Sequence, residues 1–318
     1  MIESDLPDRL DPAKLLLPHG YSKNLTSHEI DLGYTPGLKE AGMRIVLLSF
    51  SLLGMLLVSA VVQATAQVYY LALGDSLAIG IQPSLKGDVP TNQGYADDLY
   101  QAFRPAIPGL TLVKLGCSGE TTTSMMDGTV CSYLEGSQLN AAVSFLETHQ
   151  VAFVTIDIGA NDIDQCINPK TGAIDGECAF QAGITVGTKL PQILATLRAA
   201  ALNTHIVGMN YYDPLLAAWV LAANGQSLAQ VSEVDTVAFN AVLEASYQAL
   251  SVPVADVAGA FHMTDFNNIP FINLPVNVFV TLTSTWMAAP APIGPDVHPN
   301  ALGYATIAIA FGEKIAHP

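Results

Sequence analysis

Ser76, His298 and the glycine and asparagine turns between them are the residues of this 318-residue chain whose types and spacing suit one chemistry, acyl transfer. Ser76 stands in Gly74-Asp75-Ser76-Leu77, directly behind an apolar run, where the glycine can take a tight turn and present the hydroxyl as a nucleophile. The plain alternative is a serine that caps the next helix. Asp296-Val297-His298-Pro299 supplies the base such a serine needs. Pro299 biases His298 away from the α region, so residues 296 and 298 are expected on one side of an extended stretch, with Asp296 fixing the imidazole tautomer. A surface histidine before a helix is the bland reading of the same stretch. A tetrahedral intermediate also needs hydrogen-bond donors for its developing charge. Gly119, in Gly116-Cys117-Ser118-Gly119, can offer a backbone N–H, and Asn161, in Gly159-Ala160-Asn161-Asp162, a side-chain amide. Each turn alone is ordinary, and their joint placement carries the inference. The Gly-x-Ser-x-Gly elbow of the α/β-hydrolases is missing, because Ala78 stands where its last glycine would be.

The elements that must position these residues are short β-rich runs alternating with longer helical patterns. Strands are expected over Val68 to Leu73, Thr111 to Leu115, Val151 to Ile158, His205 to Asn210 and Val252 to Val254. Helices are expected over Tyr95 to Phe103, Gln138 to His149, Phe180 to Ala201, Val231 to Ala249 and Asn300 to Ala316. Such alternation predicts βαβ units around a parallel sheet of about five strands. The unbroken apolar character of the strands predicts helices on both sheet faces. In open parallel sheets the ligand sits beyond the carboxyl ends of the strands, and that is where the Ser76, Gly119 and Asn161 turns fall.

With these motifs in order, the region from Val68 to Ala316 resembles the GDSL family of lipases and esterases, also called the SGNH hydrolases. The resemblance rests on Gly74-Asp75-Ser76-Leu77, the Gly119 turn, Gly159-x-Asn161-Asp162 and the terminal His298-Pro299. It implies a three-layer α/β/α sandwich wound like flavodoxin, and ester hydrolysis through an acyl-serine intermediate. It makes Ser76 the nucleophile and an oxyanion donor through its N–H, Gly119 and Asn161 the other donors, and His298 the base. No metal or organic cofactor is implied. One departure matters: the family usually carries Asp-x-x-His, whereas here Asp296 is two residues before His298 and Pro295 occupies the usual aspartate position. Either Asp296 or a backbone carbonyl is then left to orient His298. Asp157, Asp162 and Asp164 form an acidic cluster, but their spacing fits no calcium loop.

Composition bounds the rest. With 28 acids against 12 bases the chain carries a formal charge of −16, which disfavours nucleic acid and anionic membrane surfaces as partners. Arg44 is followed by an apolar run, Ile45 to Val62, and then Ala64-Thr65-Ala66, the pattern of a signal peptide over 43–66 with cleavage after Ala66. The rival is an uncleaved membrane anchor at 45–62. Residues 1–42 are polar and read as a non-native or disordered extension, which leaves 67–318 as a single exported domain, expected to act as a monomer with no obligate protein partner. That domain holds seven bases and 21 acids, so it is acidic in its own right. Its four cysteines suit disulfides rather than zinc, and short loops favour Cys117 with Cys131 and Cys166 with Cys178 among the three pairings. Each bridge would then brace a loop that presents an oxyanion donor. The segment from Phe261 to Pro295 has only His262 and Asp265 as titratable residues, and with Phe271, Phe279 and Trp286 it reads either as the lining of an acyl pocket or as ordinary core and packing residues under a long loop. The substrate class stays open between lipid or short-chain esters and acetylated carbohydrate, as does a non-catalytic binding module that keeps the fold.

Overall fold

The computed structural model describes residues 67–168, 171–221 and 223–316, so the expected signal peptide, the alternative anchor and the 1–42 extension lie outside the described residues. Seven strands are described: β1 (Val68–Gly74), β2 (Ile81–Gln82), β3 (Val89–Pro90), β4 (Leu110–Lys114), β5 (Val151–Asp157), β6 (His205–Met209) and β7 (Val254–Ala255). Five form one parallel sheet in the order β4-β1-β5-β6-β7, while β2 and β3 pair as a separate antiparallel hairpin. Renumbered within the sheet, that order is the doubly wound one in which the winding reverses between the first strand and the third, here β1 and β5. The crevice at their carboxyl ends is where Ser76 and Asn161 emerge.

The strands are buried on both faces, as their apolar runs require: Tyr70, Leu71, Ala72, Leu73, Val154 and Ile156 are all fully buried. Around them lie α1 (Ser76–Ile79), α2 (Tyr95–Phe103), α3 (Thr122–Asp127), α4 (Gln138–Thr148), α5 (Ala160–Asp164), α6 (Gly176–Ala200), α7 (Ala218–Leu221), α8 (Gly225–Ala249), α9 (Val257–Ala260), α10 (Val276–Ser284) and α11 (Ala301–Ala316). One layer packs α2 on α11, where Tyr95 stacks on Phe311 with ring centroids 4.9 Å apart. The other packs α6 against α4 and α8. The expected α/β/α sandwich is the fold observed.

Differences from the expected elements are local. The long helix α6 begins four residues before Phe180 because Asp175 caps it, its carboxylate accepting from the N–H groups of Glu177 and Cys178 at 3.1 Å. Helix α8 likewise starts at Gly225, and the last strand is the two-residue Val254–Ala255 rather than Val252 to Val254. The hairpin β2–β3 and the helices α3 and α10 were not expected. Cysteines pair as Cys117–Cys131 and Cys166–Cys178, the favoured pairing.

Candidate active site

The serine turn is built on a glycine that nothing else can replace. Gly74 has φ +128°, and a Cβ there would lie 1.9 Å from the Asp157 carbonyl oxygen of the neighbouring strand. This close approach lets the Asp75 N–H bond the Asp157 carbonyl at 3.0 Å and brings β1 and β5 to a common end. Gln138 ties the same turn to α4, accepting from the Gly74 N–H at 2.7 Å and donating to the Gly74 carbonyl at 2.9 Å. It is Asp75, not Ser76, that caps α1, accepting from the Leu77 N–H at 2.9 Å. Ser76 is thereby freed from capping and stands at the first position of the helix.

The donors are held by similar local devices. Gly119 takes φ +82°, a left-handed conformation, within the loop closed by Cys117–Cys131. Gly159 takes φ +121° and starts α5, which carries Asn161. The Asn161 amide donates to the Glu120 carbonyl at 3.0 Å, so the Gly119 and Asn161 loops are fastened to one another. A side-chain amide has a second N–H, which that bond leaves available. Asp162 does structural work beside it, accepting from the N–H and the hydroxyl of Thr122 at 2.8 and 2.7 Å.

His298 meets Asp296 through an Asx turn rather than through simple alternation along an extended strand. Asp296 Oδ1 accepts from the His298 backbone N–H at 2.9 Å and lies 2.8 Å from His298 Nδ1. Between the two candidate orienters, the Asp296 carboxylate rather than a backbone carbonyl is the group against Nδ1. That engagement leaves Nε2 as the nitrogen able to accept a proton. Burial opposes a charged imidazole, but the Asp296 hydrogen bond and the charges of Asp296, Asp88 and Asp75 outweigh it and raise the His298 pKa. Burial likewise works against ionised Asp296, and the His298 bonds and charge outweigh it to lower that carboxyl.

Ser76, Gly119, Asn161 and His298 all line one cavity of about 790 Å³. From them the cavity runs between α6 and α8, past Ala179, Phe180, Gly183 and Ile184 on one side and Phe239 and Val242 on the other. The segment from Phe261 to Pro295 therefore does not form the pocket wall. Phe271 is on the surface, Phe261 stacks on Tyr212 at 4.6 Å, and the Trp286 indole N–H donates to Gln82 Oε1 at 2.6 Å. Sequence reasoning missed the real wall because Gly183 and Ala179 look like ordinary helix residues until a partner helix leaves space beside them.

Buried carboxyls crowd the crevice. Asp75 and Asp157 are pushed up by burial, Asp157 well above the usual carboxylate range with the Asp75 charge adding to the effect; Tyr95 donates a hydrogen bond to Asp157. Burial also pushes Asp213 up to about 6, whereas Asp164 opens onto the cavity and is exposed. Asp157 and Asp162 are thus engaged by different partners, Tyr95 and Thr122. Among the described residues the group with metal-like spacing is Asp88, Asp296 and His298, whose ligand atoms lie within 4.8 Å of one another. Nδ1 is already engaged by Asp296 there, which is the arrangement of an oriented imidazole.

The structure is a doubly wound three-layer α/β/α sheet protein in which Ser76, Gly119, Asn161 and a carboxylate-bound His298 gather at the switch point of the sheet. Residues 72–306 match the GDSL-like lipase/acylhydrolase family, and the chain belongs to that family of ester hydrolases. Its fold is similar to that of phospholipase A1 from Streptomyces albidoflavus NA297, with 18% identity, 78% of this chain and 100% of that one covered, and a TM-score of 0.51. An extracellular lipase from Streptomyces rimosus is similar at 17% identity, 77% and 99% coverage and a TM-score of 0.52. No curated protein matches the chain in sequence.

Proposed function

We propose that the protein is an exported serine esterase that hydrolyses carboxylic esters with an extended apolar acyl chain. The observation that carries this reading is the convergence of Ser76, Gly119, Asn161 and a carboxylate-bound His298 on one largely apolar cavity. As Ser76 Oγ attacks the ester carbon, His298 Nε2 takes its proton, and the oxyanion is received by the N–H groups of Ser76 and Gly119 and the free amide N–H of Asn161. Collapse breaks the C–O bond and His298 returns the proton to the leaving alcohol; water then repeats the sequence to release the acid. An acetyl group would leave most of a cavity of about 790 Å³ unfilled, which favours longer acyl chains over acetylated carbohydrate. Two disulfides suit an oxidising compartment and so support export. The test is a fluorophosphonate probe with a nitrophenyl ester series. Labelling at Ser76, abolished in Ser76→Ala, with kcat/KM rising beyond acetyl, is expected. A folded enzyme that is neither labelled nor active, a binding module, would overturn it.

A further inference from the structure

The usual aspartate position, three residues before the histidine, is held by Pro295, and the one carboxylate that the loop does supply is doubly used. Asp296 Oδ1 serves both the backbone N–H and Nδ1 of His298. A second carboxylate reaches the same nitrogen from a distant part of the chain: Asp88 Oδ2 lies 4.0 Å from His298 Nδ1. One carboxylate oxygen from each of Asp88 and Asp296 and a ring nitrogen of His298 lie within 4.8 Å of one another. Building on the serine esterase reading, we propose that Asp88 is a second positioning residue for His298, sharing with Asp296 the work of orienting the imidazole and balancing its charge.

The hairpin that carries Asp88 is fastened to the histidine loop, which makes the approach a built feature. Trp286 on the loop side donates from its indole N–H to Gln82 Oε1 at 2.6 Å, and Gln82 Nε2 donates to the Pro299 carbonyl at 3.5 Å. The Tyr304 hydroxyl, one turn into α11, donates to the Ile81 carbonyl at 2.8 Å. The tip of the hairpin is closed by paired Ser84 and Gly87 backbone bonds, both 3.1 Å. Strand β2 is thus clamped to both sides of His298, and the short turn delivers Asp88 to the imidazole edge. The acidic groups whose charge reaches His298 are Asp296 on its own loop, Asp88 on the hairpin, Asp75 after β1 and Asp164 at the end of α5. Of these only Asp296 and Asp88 approach Nδ1 within 4.0 Å. Because Asp88 is partly open to solvent, its charge is screened while Asp296 remains in place. It becomes the sole nearby carboxylate for Nδ1 once Asp296 is removed.

The experiment is a double-mutant cycle read as pH profiles of kcat/KM. Asp88→Asn alone is expected to lower kcat by about threefold with KM unchanged, and to move the acid limb down by roughly half a pH unit. Asp88→Glu restores the position of the limb. In an Asp296→Asn background the same Asp88→Asn change is expected to cost about tenfold more than it does in the native enzyme, because the backup is then lost. Asp88→Ser provides a second neutral variant, with thermal melting and stoichiometric phosphonate labelling of Ser76 confirming the fold of each. Superimposable pH profiles, together with equal costs in the two backgrounds, would overturn the proposal while leaving His298→Ala inactive and the esterase reading intact. Activity retained in a folded His298→Ala variant would instead sink the esterase reading itself. Loss of activity on chelation, restored by added zinc, would assign Asp88, Asp296 and His298 to a cation and likewise overturn the positioning role.

Discussion

Replacing Gly183 by leucine turns the cavity assignment into a number. Gly183 sits in the interior of α6 on the cavity wall, and a Cβ built there meets nothing within 4 Å. Gly183→Leu therefore adds four carbons to open space that the acyl chain is proposed to use. Each methylene denied burial costs about 0.8 kcal/mol, so four displaced acyl carbons cost roughly 3 kcal/mol, or about 10²-fold in kcat/KM on a long-chain ester. An acetyl ester, which never reaches that depth, should be hydrolysed at the native rate. Stability should move the other way. Glycine in a helix interior is disfavoured by about 0.8–1 kcal/mol relative to alanine, and leucine is nearly as good a helix former, so Tm should rise by about 2–4 °C for a domain of this size. The assay is kcat/KM over nitrophenyl esters from acetyl to palmitoyl, with a thermal melt of each protein. An unchanged chain-length profile in a variant as stable as the parent would refute the acyl channel between α6 and α8.

Ser76→Ala and His298→Ala should each lower kcat by about 10³ or more, and Asn161→Ala by about 10² to 10³, measured on one soluble ester; substantial hydrolysis in the folded serine variant would defeat the mechanism. Activity requires neutral His298, whose pKa is raised above 6.5, so kcat/KM should climb with pH across a limb centred above that value, and a limb centred below it would contradict the site electrostatics. Stability should fall over the same range. The raised His298 contributes fully below about 6.5 and loses its contribution as pH passes its folded pKa. Asp213, at about 6, holds a proton in the folded state that the unfolded chain releases near pH 4, so it favours folding less as pH rises from about 4 to about 6. A Tm that is flat or rising from pH 5 to pH 8 would count against this balance. Cys166–Cys178 closes a loop whose Ile167 and Ile174 line the cavity, and Cys117–Cys131 encloses Gly119, each bridge contributing about 3 kcal/mol by loop closure. Under mild reductant activity should fall before circular dichroism changes; coincident loss would reduce the bridges to staples.

What could be read from the chain alone was whatever depends on neighbours in sequence. Four of the five sheet strands were legible to within a residue at each end, because a strand covered on both faces must be apolar at every position, as Tyr70 to Leu73 are. The turns after β1 and β5 were legible because only glycine permits the backbone that Gly74 and Gly159 adopt. The disulfide pairing followed from short loops. Tertiary structure decided what depends on packing between distant segments. The hairpin of Ile81–Gln82 and Val89–Pro90 is too short to show a period, and its Asp88 gains meaning only from Gln82, Trp286 and Tyr304, which clamp it beside His298. The cavity between α6 and α8 exists because α6 presents Ala179 and Gly183 toward α8, a gap between helices that neither helix records in its own periodicity. Trp286 shows the limit most clearly. Its type and apolar setting fit a pocket wall, but its indole N–H found a partner across the fold and made it a clamp, since a buried donor must be satisfied wherever the chain brings an acceptor.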